Sequence, residues 1–143
     1  MKILILCTGN SCRSQMAEGF LISIDSSLDV NSAGTKPENE VNPKAIEVMN
    51  EKGIDLSQNF PKKVDEFLDQ SFDYVITVCD SAKETCPVFM GDIKHRLHMG
   101  FEDPAGATGT EQEILKKFRE VRDQIQEKFY SFYQNRILNK KSK

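Results

Sequence analysis

The sequence predicts an α/β fold, a parallel sheet covered by helices on both faces to make three layers. Three observations lead there. Residues 2–6 and 74–78 are almost continuously apolar, as expected of strands buried on both sides. Stretches with apolar residues every three or four positions alternate with such runs, as amphipathic helices do. Strands separated by helices run parallel and are joined by right-handed crossovers that lay the helices on the sheet.

Each element follows in order. The first strand is expected at 2–6 and a helix at 14–24, with Met16, Phe20, Leu21 and Ile24 on one face. A second strand is read at 28–32. Asn42 and Pro43 suit the N-cap and first turn of a helix that carries Ile46 and Met49 and closes at Gly53. A shorter stretch at 64–68 precedes the third strand, 74–78. Ser81 and Glu84 have capping-box spacing, so a short helix should begin there and stop at Pro87. A weaker strand is expected at 94–99. The last helix starts near Thr110, which makes a capping box with Glu113, and its core stripe is Ile114, Phe118, Val121, Ile125, Phe129 and Phe132.

At 143 residues the chain is the size of one domain, read as 1–139 followed by a basic tail, 140–143. A net charge of −3 offers no electrostatic footprint for nucleic acid or an anionic membrane. The apolar start is broken by Thr8, Gly9 and Asn10 before a signal-peptide core can develop. A cytoplasmic monomer is therefore expected, in which four cysteines serve chemistry or metal binding rather than a disulfide framework.

The chemistry concentrates in Cys7-Thr8-Gly9-Asn10-Ser11-Cys12-Arg13-Ser14, between the first strand and the first helix. A strand–loop–helix junction aims successive backbone N–H groups at one spot, beside the positive end of a helix dipole. Arg13 adds a planar charged fork suited to a tetrahedral oxyanion. Cys7 opens the loop, where that field favours a thiolate. Cys12 reads as packing. A nucleophile at the floor of an anion cradle can attack the central atom of an oxyanion.

A second pair of thiols, Cys79 and Cys86, follows the third strand. If that strand neighbours the first, about 4.8 Å away, Cys7 and Cys79 leave the sheet together at one end. Seven helical residues rise about 10.5 Å, whereas a disulfide needs Cα atoms about 4.4–6.8 Å apart. Cys79 and Cys86 can then bond only if the helix between them unwinds. Two buried structural cysteines, or a zinc site with His95 and His98, are the competing readings, but the second lacks the spacing of common zinc motifs.

The pattern of Cys, five residues, Arg and a hydroxyl resembles the low-molecular-weight protein tyrosine phosphatase superfamily, and Gln15-Met16-Ala17-Glu18-Gly19 resembles its thioredoxin-coupled arsenate reductases. The resemblance implies a four-stranded, flavodoxin-like sheet. It implies that Cys7 is the nucleophile, that Thr8 to Arg13 hold the oxyanion, and that Ser14 stabilises the thiolate. Cys79 and then Cys86 would resolve the adduct, thioredoxin would reduce the final disulfide, and Asp103 of Asp103-Pro104 would be the general acid. No cofactor is expected. Ala105-Gly106-Ala107 stand where the phosphatases carry an aromatic residue, which suits a small inorganic oxyanion. Some of these reductases hold potassium behind the loop; Asn10, Glu18 and Ser32 match three of its ligands, and Lys62 falls at the fourth. The Lys62 ammonium is expected to replace the ion and satisfy Glu18, or else to be a solvated surface lysine. The alternatives to an arsenate reductase are a phosphatase of aryl phosphates and a non-catalytic thiol sensor or arsenite-binding module.

Overall fold

The computed structural model describes residues 1–79 and 88–138. Four strands, β1 (Lys2–Cys7), β2 (Asp29–Gly34), β3 (Phe72–Thr77) and β4 (Ile93–His98), pair in the order β2-β1-β3-β4. All three ladders are parallel, from Lys2↔Asp29 to Cys7↔Gly34, Ile3↔Tyr74 to Leu6↔Thr77, and Phe72↔Ile93 to Thr77↔His98. Side chains of Ile3 and Ile5 point opposite to those of Leu4 and Leu6, yet all four are fully buried. Both faces of the sheet are therefore covered at its centre. The edge strand β4 instead alternates half-buried Ile93, His95 and Leu97 with exposed Lys94, Arg96 and His98. Charges on an edge discourage pairing with another chain.

Among the described residues three α-helices, α1 (Arg13–Ile24), α2 (Pro43–Asn50) and α3 (Glu111–Phe132), cover the sheet, with α1 and α2 both packed on α3. Five residues of the expected α3 stripe are buried and Ile114 is half-buried. Thr110 and Glu113 form the expected capping box, with the Glu113 amide donating to Thr110 Oγ1 over 3.2 Å. Asn42 caps α2 by accepting from the Lys44 amide, and Pro43 takes the first turn. Gly53, at φ 76°, ends the helix as expected: its amide donates to Asn50 O while the Ile54 amide donates to Met49 O. Those paired bonds are a Schellman turn, which needs a left-handed residue at Gly53.

Short 3-10 turns occupy Val64–Phe67 and Pro104–Gly106, and a π-helical turn, Tyr133–Leu138, continues α3. Strand boundaries move most. β2 runs two residues beyond the expected 28–32, because Ala33 and Gly34 pair with Leu6 and Cys7 whatever their own preferences. β3 begins two residues earlier than expected, at Phe72. The helix expected at Ser81, the redox segment up to Cys86, and the basic tail lie outside the described residues.

Candidate active site

The carbonyls of residues 7–12 account for the geometry of the loop between β1 and α1. Those of Cys7, Thr8, Gly9 and Ser11 accept from the amides of Thr35, Lys36, Glu38 and Asn42, at 3.3, 2.9, 2.9 and 2.9 Å. The segment after β2 is thus a strap along the outside of the loop. Cys12 O accepts from the Met16 amide, and Asn10 O from Gln15 Nε2. With all six carbonyls bonded away, the loop amides are left to face a cleft of about 510 Å³. No side chain caps α1, so its first turn adds donors and the positive end of its dipole. The strap approaches so closely that a Cβ on Gly34 would stand 2.4 Å from Thr8 O, a position only glycine can fill.

Cys7 lies on the floor of this cleft, 2 % exposed. Its Sγ accepts from the Asn10 amide at 3.2 Å and lies 3.0 Å from Ser14 Oγ. Asn10 Nδ2, which can only donate, gives its hydrogen to Ser14 Oγ at 2.7 Å. The Ser14 hydroxyl proton is then free for the sulfur, and two donors converge on Cys7. Asn10 is fully buried and holds φ 50°, the one positive φ of a non-glycine residue among those described. Asn tolerates that region better than most residues. Cys12 also lines the cleft, but burial, with help from the charges of Asp103 and Cys7, pushes its thiol up to about 12. It stays protonated and acts as packing.

Arg13 Nη1 donates to Phe101 O at 3.0 Å, and Nη2 pairs with Asp103 Oδ2 at 3.5 Å. Asp103 caps the turn that follows by accepting from the Ala105 amide. Both residues line the cleft beside Cys7, so the expected nucleophile, guanidinium and acid share one cavity. Cys79 does not line it. Its buried Sγ lies 3.4 Å from Thr8 Oγ1, one residue past the Val78 amide that donates to Leu6 O. The end of β3 and the anion loop therefore meet as the strand order implied. Cys86 lies outside the described residues.

Behind the loop, one expectation is corrected. The Lys62 ammonium does not satisfy Glu18: it lies 3.5 Å from Phe60 O and 5.4 Å from the centroid of the Phe60 ring. Glu18 Oε2 instead accepts from Asn59 Nδ2. Lys62 supports the loop through its main chain, its amide donating to Asn10 Oδ1 at 2.9 Å and its carbonyl accepting from the Gly34 amide. With both groups held, the side chain leaves towards Phe60. Burial raises the pKa of Glu18, opposed by the nearby Lys62 charge and by Ser32. Ser32 Oγ itself is buried and makes no well-aligned hydrogen bond to a described residue. These groups do not fit a potassium cage, because Asn10 Oδ1 already accepts from the Lys62 amide and from Gln15 Nε2, and Lys62 adds positive charge.

Nothing in the sequence pattern assigns a role to Gln15, Asn59 or the Phe101 carbonyl. A polar residue in the first turn of a helix ordinarily faces solvent, whereas Gln15 is fully buried. Its presence beside the loop was the available signal.

A four-stranded parallel sheet with a Cys-and-Arg anion loop at its carboxyl edge defines a phosphatase-type oxyanion site. Residues 2–143 match the family model described as low molecular weight phosphotyrosine protein phosphatase, and the chain belongs to that family. Among its relatives is a protein of Halalkalibacterium halodurans named arsenate reductase, 45 % identical over 131 residues that cover 91 % of this chain and 93 % of the relative. A solved arsenate reductase in the phosphate binding state superposes with a TM-score of 0.78 at 32 % identity, covering 92 % of this chain and 95 % of the other. The low molecular weight protein tyrosine phosphatase from T. tengcongensis superposes at 0.76 with 25 % identity, covering 94 % and 98 %.

Proposed function

We propose that this protein is an enzyme that reduces arsenate to arsenite, with thioredoxin as electron donor. One observation carries the reading: a second thiol, Cys79, stands against Thr8 of the loop whose floor is the Cys7 nucleophile. A phosphatase of this family needs only the first thiol. The names of the relatives point the same way.

In the proposed sequence the Cys7 thiolate attacks arsenic, held by the loop amides and Arg13, and an arsenate oxygen leaves as water with a proton from Asp103. The Cys79 thiolate then attacks Cys7 Sγ. The sulfur–arsenic electron pair passes to arsenic, which leaves as arsenite, and a Cys7–Cys79 disulfide remains. Cys86 attacks Cys79 Sγ and expels the Cys7 thiolate, so two thiols have given up two electrons to arsenic. A thioredoxin dithiol takes over the Cys79–Cys86 disulfide and restores both thiols. Cytoplasmic thioredoxin is the reductant this cycle requires.

Arsenate-dependent consumption of NADPH, in the presence of thioredoxin and its reductase, tests the proposal. Mass spectrometry of arsenate-treated Cys86→Ser should find Cys7 bonded to Cys79 after one turnover. Absence of that linkage would overturn the order of the relay. Asp103 in the cleft also supports slow hydrolysis of aryl phosphates through a Cys7 phosphoenzyme. That activity should survive Cys79→Ser, while arsenate turnover should not.

A further inference from the structure

Of the six carbonyls that turn away from the cleft, five are held by backbone amides and one by a side chain. The exception belongs to Asn10, the residue at φ 50°, and its partner is Gln15. Gln15 Nε2 lies 3.2 Å from Asn10 O, 3.1 Å from Asn10 Oδ1 and 3.2 Å from Phe60 O. Its Oε1 accepts from Asn59 Nδ2 at 3.1 Å, and the same Asn59 nitrogen reaches Glu18 Oε2 at 3.2 Å. Both ends of the amide are therefore engaged, and Asn59 fixes which end is which.

We propose that Gln15 is a positioning residue for the anion loop: its amide clamps the left-handed Asn10 peptide so that the loop's donors meet Cys7 and the bound oxyanion. The inference rests on the site proposed above but not on arsenate being its substrate. Asn10 does two tasks in that site, giving its amide hydrogen to Cys7 Sγ and its side-chain hydrogen to Ser14 Oγ. Both require the peptide after Asn10 to keep its carbonyl away from the cleft. Among the described residues no backbone amide reaches that carbonyl. An αL residue relaxes readily into other regions unless its surroundings hold it. Gln15, five residues on and anchored in α1, is what holds it, and Asn59 holds Gln15.

The two readouts needed are the rate of Cys7 alkylation by iodoacetamide, followed by mass spectrometry, and the phosphate concentration that protects Cys7 from it. Neither needs arsenate or thioredoxin, so failure here is separable from failure of the reductase reading. Gln15→Met keeps the length and helix preference of the side chain and removes its hydrogen bonds. Alkylation at neutral pH should slow about tenfold and phosphate protection should weaken about tenfold, the scale of one lost hydrogen bond to a charged group. Gln15→Glu places a carboxylate oxygen against three acceptors at pH 8. Its phosphate affinity, relative to wild type, should recover as pH falls and the carboxyl regains a hydrogen to donate. Asn59→Ala, at the half-buried rim of the network, should show the Gln15→Met effect in weaker form and covers the case in which the central variants do not fold.

Wild-type alkylation and protection in Gln15→Met would overturn the proposal. So would a lower melting temperature with both readouts unchanged, since that is a merely structural role. Failure of Gln15→Glu to recover at low pH would show that the donated hydrogen is not what matters.

Discussion

At the scale of single residues, the loop divides into atoms that react and atoms that hold them. In the proposed cycle Cys7 attacks the oxyanion and Arg13 grips it. Cys7→Ser should lower arsenate and aryl-phosphate turnover by about a thousandfold or more, since a hydroxyl is a poor substitute for a thiolate. Arg13→Ala should weaken phosphate protection of Cys7 by about ten- to a hundredfold, the loss of a charge-assisted fork. Substantial turnover by Cys7→Ser would move the chemistry elsewhere. Lys62 is of the second kind. Because its amide, not its ammonium, meets Asn10 Oδ1, Lys62→Ala should keep turnover within about twofold, whereas Lys62→Pro removes the donor and should cost about tenfold. Equal losses in the two variants would return the role to the side chain. The reacting residues were legible because Cys, Arg and Ser carry chemistry that a loop alone does not need. The holding contacts were not. They run from main-chain amides that every residue but proline supplies, as at Thr35 and Lys62, or through a buried Gln15 that looks like any first-turn polar residue.

At the scale of elements, α2 and α3 are joined by charges at the end of α2. Glu51 accepts a two-pronged contact from Arg119 and a bond of 2.7 Å from the buried Arg122 Nη1, which also donates to Val48 O. Hydrogen bonding from Arg119, with Arg122 and both charges adding to it, lowers the Glu51 carboxyl to about 2. A carboxyl whose folded pKa lies below its unfolded value stabilises the fold above the unfolded value, and the contribution is lost as pH falls towards 2. Glu51 is more than a third exposed, so water screens the pair and the contribution is about 1 kcal/mol or less. Melting temperatures from pH 6 down to pH 2 should therefore fall less steeply in Glu51→Gln than in the wild type. Parallel curves would deny the linkage. The helices themselves were legible from their caps, because Asn42-Pro43 and Thr110 with Glu113 satisfy local amides by local rules. The end of β2 was not, because Ala33 and Gly34 become strand only by pairing with β1.

At the scale of the whole molecule, the strand order places the chemistry. The chain leaves β1 to one side for β2 and returns across it to β3, so the segments after β1 and β3 diverge at the same edge. Such a reversal opens a crevice at the carboxyl ends of the strands, and the two thiols of the described site stand there. The alternation of strand and helix along the sequence was enough to foresee a parallel sheet with its site at the carboxyl edge, whereas the strand order itself was implied by the family resemblance. Phosphate, as a ligand of the folded state alone, should raise the melting temperature. The stabilisation is about 2.7 kcal/mol at a hundred times its dissociation constant. Arg13→Ala should abolish about half of that shift or more.

The contact between Arg13 and Asp103 has a further effect on that affinity. A carboxylate attached to the same chain is an inhibitor that can never be dialysed away, present at an effective concentration of about millimolar or more. Every visiting anion must displace it. Feeble ligands such as chloride should be turned away, while a tetrahedral oxyanion that also fills the amide cradle should prevail. In the proposed reaction the displaced Asp103 then stands beside the newcomer, where, once it has taken up a proton, it can pass it to the leaving oxygen. Asp103→Asn should consequently bind phosphate more tightly than the wild type while turning over more slowly. Affinity and rate would thus move in opposite directions through one side chain, as they must if the protein's own acid is the first occupant of its binding site.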